Sequence, residues 1–399
     1  MAQHSFLQNL LQGQAVEWRA LGEVCELKRG QTITAKTKKD GNIPVISGGQ
    51  QPAYYNAEFN REGETITVAG SGAYAGHLLF WNEPIYVSDA FSVKPDLNIL
   101  NTKYVFHFLL NNQNWIYNLK KGSGVPHVYP KDLAKLQIPI PPLSVQSQIV
   151  QILDAFTELN SQLTTELSMR QKQYQYYRDL LLTFDEKISG GGRGSNPFFC
   201  QNVLWKTLGE VGELVRGNGL TKKDLTDDGV PAIHYGQIYT RYGLSTEKTL
   251  SFVSTELAKR LRKVDTGDVV ITNTSENLAD VGKSLVYLGK EQAVTGGHAT
   301  IFKPNKQIIL GKYFAYFTQT DNFATQKRKY AKGTKVIDVS TNDMAKLKIP
   351  IPPLSVQSQI VAILDTFDTL TQSISEGLPK EIKLRQTQYE YYRERLLAF

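Results

Sequence analysis

A glycine-rich loop after a strand can cradle a phosphate, so Gly70-Ser-Gly72-Ala-Tyr-Ala-Gly76 is the first stretch to test. Its spacing is G-x-G-x-x-x-G rather than G-x-G-x-x-G, and no helix with an acidic residue about 20 positions on completes a dinucleotide site. It reads as a turn-forming loop. Asn196-Pro-Phe-Phe199 lacks the second proline of an Asn-Pro-Pro-aromatic loop that holds a flipped base, and it lies in linker sequence. Pro95-Asp96 and Asp185-Glu-Lys187 stand 185 − 96 = 89 positions apart, the latter at a helix end, and make no nuclease pattern. His4, His77, His107, His127, His234 and His298 never pair at metal-ligand spacing, and neither H-E-x-x-H nor a Walker sequence occurs. No active site, metal or cofactor is expected in this chain.

Chemistry suited to a polyanion is better represented. Lys28, Arg29, Gln31, Thr32, Lys36, Lys38 and Lys39 gather near the start, and Lys120, Lys121 and Ser123 follow. A second set opens with Arg216, Lys222 and Lys223 and closes with Lys327, Arg328, Lys332 and Lys335. Lys and Arg neutralise phosphates, while neighbouring amides and hydroxyls can reach base edges. Ser71, Tyr74, Gln237 and Asn273 join them as candidate DNA-binding residues. The overall balance, 45 basic against 38 acidic residues with a pI near 9.0, permits a nucleic-acid partner without demanding one. Cys25 and Cys200 have no paired spacing, which excludes a disulfide framework and a zinc site and points to the cytosol. No apolar run reaches the ~18 residues of a membrane span, so a soluble, intracellular protein is expected.

The elements that must position these residues come from a duplication. Ile138-Pro-Ile-Pro-Pro-Leu-Ser-Val-Gln-Ser-Gln-Ile-Val150 returns unchanged from Ile349, a shift of 349 − 138 = 211. Beyond it, Val145, Ile149, Ile152, Phe156, Leu159, Leu163, Leu167, Arg170, Tyr174, Tyr177 and Leu181 advance in steps of three and four. That stripe predicts a helix of about 40 residues, ~60 Å long, which needs a second helix as partner. Ser144 stands at the N-cap position after Pro141 and Pro142. Arg170-Gln-Lys-Gln-Tyr-Gln-Tyr-Tyr-Arg178 recurs as Arg385-Gln-Thr-Gln-Tyr-Glu-Tyr-Tyr-Arg393, four residues out of step, with Pro379 nearby. A break is therefore expected near Gly377-Leu378-Pro379. Tyr174, Tyr177, Tyr389 and Tyr392 share a repeat position and are expected to pack or to dock a protein partner.

Upstream, Val16-Glu-Trp18 and Leu21-Gly-Glu-Val24 return as Val203-Leu-Trp205 and Leu208-Gly-Glu-Val211, a shift of 205 − 18 = 187. Between these frames the halves diverge. Strand-like runs (Glu64 to Val68, Ile85 to Val93, Val269 to Asn273, Ala299 to Phe302) and helical stretches (Lys103 to Leu119, Lys312 to Tyr330) predict an α+β unit in each half. The expected order is a globular unit at 1–143, a long helix at 144–187, a flexible Gly/Ser-rich linker at 188–200, a second globular unit at 201–354 and a second helix at 355–399.

Two divergent units separated by near-identical Ile-Pro-Ile-Pro-Pro-Leu…Gln-Tyr-x-Tyr-Tyr-Arg helices resemble the specificity subunit of type I restriction–modification systems. Gly22-Glu-Val24…Arg29-Gly30 and the Pro44…Ile46…Gly49-Gln50 box resemble the start of its target-recognition domains. The resemblance implies a mixed α+β fold with two target-recognition domains, two long antiparallel coiled-coil helices and a pseudo-two-fold. It implies that double-stranded DNA with a split, asymmetric target is read here. It also implies two modification subunits carrying S-adenosylmethionine, and restriction subunits using ATP and Mg. A stand-alone DNA-binding regulator is the alternative, though no helix-turn-helix pattern supports it. A pure coiled-coil scaffold leaves the basic loops unexplained.

Overall fold

The computed structural model describes residues 5–33, 38–184, 203–373 and 375–399. The linker expected at 188–200, together with Lys36, His4, Cys200 and Asn196–Phe199, lies outside the described residues. By compactness the chain forms two units, one from 1–164 with 382–399, the other from 165–381. Each unit therefore owns half of the long helix Leu143–Leu182, and the chain's two ends share one unit.

In the first unit a four-stranded antiparallel sheet runs Cys25–Arg29, Ala90–Pro95, Thr65–Ala69, Leu78–Trp81 in spatial order. Thr65–Ala69 is buried along its whole length, as a central strand covered on both faces must be. A small sheet sets Ile43–Ile46 between Tyr54–Asn56 and Tyr86–Val87. The helical stretch expected over Lys103 to Leu119 forms two helices, Thr102–Asn111 and Gln113–Asn118. Asn101 caps the first, accepting from the Lys103 and Tyr104 amides.

The second unit repeats the plan with more strands. Its main sheet runs Gly212–Arg216, Ala299–Pro304, Val269–Thr272, Ser284–Tyr287, Ser245–Thr246. Its smaller sheet has four strands, Ser251–Val253, Val230–Ile233, Ala293–Thr295 and Arg262–Val264. The stretch over Lys312 to Tyr330 again divides, into Gly311–Phe317 and Asp321–Arg328, the latter capped by Thr320.

Proline-rich repeats join sheet to helix. Gln137–Ile140 pairs antiparallel with Glu17–Ala20, setting Trp18 opposite Pro139, and Lys348–Ile351 pairs with Leu204–Thr207, setting Trp205 opposite Pro350. Both are two-stranded ribbons, where a proline without an N–H is tolerated. Ser144 is not the N-cap: the helix already begins at Leu143, with the amides of Val145 and Gln146 donating to Pro142 O. The end is closed by Gln146 instead. Fully buried, it accepts from the Asn101 amide at 2.8 Å and donates to Ile99 O and Pro141 O. Gln357 makes the same three bonds to the Leu310 amide, Ile308 O and Pro352 O.

Two further links recur. The Tyr104 hydroxyl donates to Pro139 O and Tyr313 to Pro350 O. Lys103 pairs with Asp154 and Lys312 with Asp365, the second oxygen of each carboxylate meeting His107 or Tyr316. Burial holds the His107 imidazole below its ordinary pKa, against the opposing pull of Asp154.

The tyrosine repeat closes both units. In the first, Tyr392 stacks on Phe156 at 5.3 Å, and Phe399 meets Tyr104 edge-on. In the second, Tyr174 and Tyr177 stack on Phe367, joining the two helices in one core. The expected break is present: Leu354–Gln372 ends, and Gly377–Leu396 starts at a glycine with φ +72°. A side chain at Gly377 would strike the carbonyls of Thr369 and Leu370. Pro379 then falls in a first helical turn, where its missing N–H costs nothing.

Candidate nucleic-acid interface

In each unit a glycine lets the first sheet strand turn out against its neighbour. Gly30 lies on the Val87 and Ser88 carbonyls and Gly217 on that of Gly296, too close for any Cβ. Beside that turn the central strand exits. In the first unit it leaves as Gly70-Ser71-Gly72, with Gly72 at φ +84°, which confirms a turn-forming loop. In the second it leaves as Asn273-Thr274-Ser275.

A hairpin is stitched onto each exit. Lys121 and His127 exchange backbone bonds, as do Lys332 and Asp338. Ser71 bridges to His127, while Thr274 and Ser275 pair with Asp338 and Ile337. Gly122 and Gly333 take φ of +114° and +102°, leaving Ser123, Val125, Lys335 and Val336 exposed at the tips.

Several expected residues meet on this rim. Arg29 lies over the Tyr129 ring, which stacks on His127. Lys28, Gln31 and Thr32 are exposed beside it. Lys120 lies over Tyr117 and donates to Ala73 O, next to exposed Tyr74. Lys121 reaches Asp132 at 2.8 Å and holds that carboxyl below its usual range. In the second unit Arg216 donates to Gly297 O and approaches Asp338 at 3.4 Å, while Lys332 and Lys335 stand exposed on the hairpin. Lys222 and Lys223 are exposed on a 3₁₀ turn. Burial, then the neighbouring His298 and last Lys222, hold the pKa of His234 down.

Others do not meet there. Asn273 is fully buried; it donates to Val339 O and accepts from Thr300, so it holds the hairpin rather than reading a base. Lys327 is 7% exposed and its ammonium donates to Ala279 O and Val281 O. Burial lowers its pKa to about 8, and it takes no part in a phosphate-binding face. Arg328 shares with it a groove of about 910 Å³ whose other walls include Tyr174, Arg178 and Asp368. The Gln237 amide turns to Ser251. Lys39 is paired with Glu58, and Lys38 lies over Tyr54. Burial raises the Cys25 thiol to about 12, which makes it inert.

The docking expectation for the tyrosines is also corrected in part. Tyr174 and Tyr389 are buried within their own units, and Tyr177 and Tyr392 face phenylalanines. Tyr176 and its repeat equivalent Tyr391 are the exposed members, at 63% and 47%.

Residue types alone did not flag Asp89 and His298. Ser71 donates to the Asp89 carboxylate, and Thr274 bonds His298 Nδ1 at 2.8 Å, so one hydroxyl position holds a different head in each unit. His298 also lies 4.7 Å from the Tyr235 ring.

Comparison with known proteins places the chain in a family. The family described as type I restriction modification DNA specificity domain matches residues 14–169 and 202–384. A specificity subunit of a type I restriction enzyme of Escherichia coli is 30% identical over 100% of this chain and 98% of its own length. A relative from Haemophilus influenzae, named for the same kind of subunit, is 31% identical over 99% and 98%. The crystal structure of a type I restriction–modification S subunit from M. genitalium has the same fold, with a TM-score of 0.63 at 17% identity, covering 96% of each chain.

Proposed function

The chain belongs to the type I restriction–modification specificity subunits, the DNA-recognition members of those complexes, and on that premise we propose that it reads a bipartite, asymmetric duplex target, one half with each unit. The observation that carries this reading is one frame built twice under two different rims. A duplicated frame lets one chain present two similar docking surfaces to two copies of a partner. Divergent rims let it read two unlike half-sites.

On this reading the chain positions two adenine methyltransferase subunits, and restriction subunits join the assembly. It is itself non-catalytic: S-adenosylmethionine, ATP and Mg act in the partner subunits. Its place is the cytoplasm. Basic side chains around the hairpins supply the phosphate contacts, which set affinity and register but not sequence.

The test is an exchange. Replacing residues 30–120 with those of another family member, in the assembled methyltransferase, should change one half of the methylated sequence and leave the other. A change in both halves, or in neither, overturns the reading.

A further inference from the structure

Position alone makes Asp89 and His298 counterparts. Gly30 N–H donates to Ala90 O and Gly217 N–H to Ala299 O, each one residue past the position in question. The central strands mark the same place, because Gly70 N–H donates to Asp89 O and Asn273 N–H to His298 O. Those backbone bonds already close the turn and need no particular side chain. Yet in both units the next residue along, Ser71 or Thr274, spends its hydroxyl on the head of the facing side chain. Both heads are exposed. A turn that needed only closing would not fix the direction of an exposed polar group, and a mobile one would do no specific reading.

The sign of the charge matters as well. The Asp89 carboxylate sits on a rim that carries Arg29, Lys120 and Lys121, where phosphate would be bound. A carboxylate repels phosphate and can only accept hydrogen bonds, so what it can recognise in a duplex groove is an amino group. His298, with Nδ1 taken by the Thr274 hydroxyl, offers Nε2 as a second polar atom on the far side of its ring.

Resting on the function proposed above, we infer that Asp89 and His298 are base-reading residues occupying one position in two recognition units. Asp89 accepts from an exocyclic amino group, cytosine N4 or adenine N6, in the half-site of the first unit. With Nδ1 engaged by the Thr274 hydroxyl, His298 presents Nε2 to the major-groove edge in the half-site of the second unit, and the tautomer protonated there donates to guanine O6 or a purine N7. Ser71 and Thr274 are positioning residues for these two heads.

The experiment uses the full chain assembled with the methyltransferase subunits of its own system and a duplex DNA pool carrying randomised positions. Methylated products are sequenced. Asp89→Asn, nearly isosteric, should lose about 10- to 100-fold of the preference at one base pair in one half-site and leave the other half intact. His298→Ala should do the same in the opposite half. Ser71→Ala and Thr274→Val should give smaller losses at those same base pairs. Melting temperatures identify any variant that fails to fold, and Asp89→Asn and Thr274→Val keep side-chain volume for that reason. Unchanged base preferences in folded variants, or a loss spread evenly over all sequences, overturn the assignment. A wild-type assembly with no sequence preference at all would overturn the functional reading beneath it instead.

Discussion

Gln146 and Gln357 could be exchanged without consequence; Asp89 and His298 could not. The first pair, buried under the helix starts, makes three identical bonds in each unit. The second pair occupies one backbone position with an acceptor in one unit and an imidazole in the other. Duplication preserved what holds sheet to helix, because a buried amide with three partners has no equivalent replacement. At an exposed head, substitution leaves the fold intact and alters only what is recognised.

The equivalence of the frames is most sharply tested at the glutamines. Gln146→Ala and Gln357→Ala should each cost about 3 kcal/mol, roughly one per abandoned buried partner. Urea unfolding of both variants checks this; a large loss for one and none for the other would break the equivalence.

Lys327 gives the next largest effect, and it separates the units. At a shift of 327 − 116 = 211 the first unit has Ile116, fully buried, where the second has this lysine. Gly76 and Gly282 make room for the two side chains in turn. The folded pKa, about 8, lies below the ordinary 10.5, so above pH 8 the unfolded chain binds more protons than the folded one. The penalty for the buried charge is full below pH 8 and fades as pH rises towards 10.5, so this residue's contribution makes the second unit more stable across that window, by about 2 kcal/mol. Lys327→Ile should flatten that slope, as measured by denaturant midpoints at pH 7.5 to 10 in buffers around the ~8 to ~10.5 range.

A smaller difference is expected at the hairpins. Lys121 is held by Asp132 at 2.8 Å, whereas Lys332 lies 3.9 Å from Asp343. Lys332→Gln should reduce the salt dependence of DNA binding by a slope of about 1, and Lys121→Gln by less. Equal slopes would mean that the ion pairs open on DNA. Smallest of all, Tyr176→Ala and Tyr391→Ala should weaken partner binding by about 1 kcal/mol or less without altering base preference. Tyr391 is braced by Arg395 at 4.1 Å, so the two losses need not match. Titration of the partner against each variant gives the comparison.

Sequence periodicity carried the frame well and the rim poorly. The helix stripe, the break before Pro379 and the strand-like runs all follow from local spacing, which is a property of neighbours in the chain. Gln146 and Gln357 lay within thirteen repeated residues, but two of the three partners of each stand 45 to 49 positions away, beyond any periodicity. Asn273 and Lys327 misled because side-chain type says nothing of which way a head points. For Lys327 a signal existed: its repeat equivalent is Ile116, and an apolar residue at a shared core position argues for burial. Asp89 and His298 carried none, since they align only through strand pairing.

One unit is assembled from the two ends of the chain. Leu7 near the start and Tyr389, Leu396 and Leu397 near the finish lie in one core. On a ribosome the second unit therefore has all its residues once 381 has been made, while the first waits for 382–399. At roughly 5–20 residues per second, the 399 − 164 = 235 residues that follow its earlier part take some tens of seconds. Through that interval the faces of Phe156 and Tyr104 that Tyr392 and Phe399 will cover stay open. The order of maturation is thus expected to reverse the order of synthesis, with protease protection of stalled chains appearing first in the later-made unit. A stop codon at position 382 would then harm the unit whose earlier part lies most distant from it in the message.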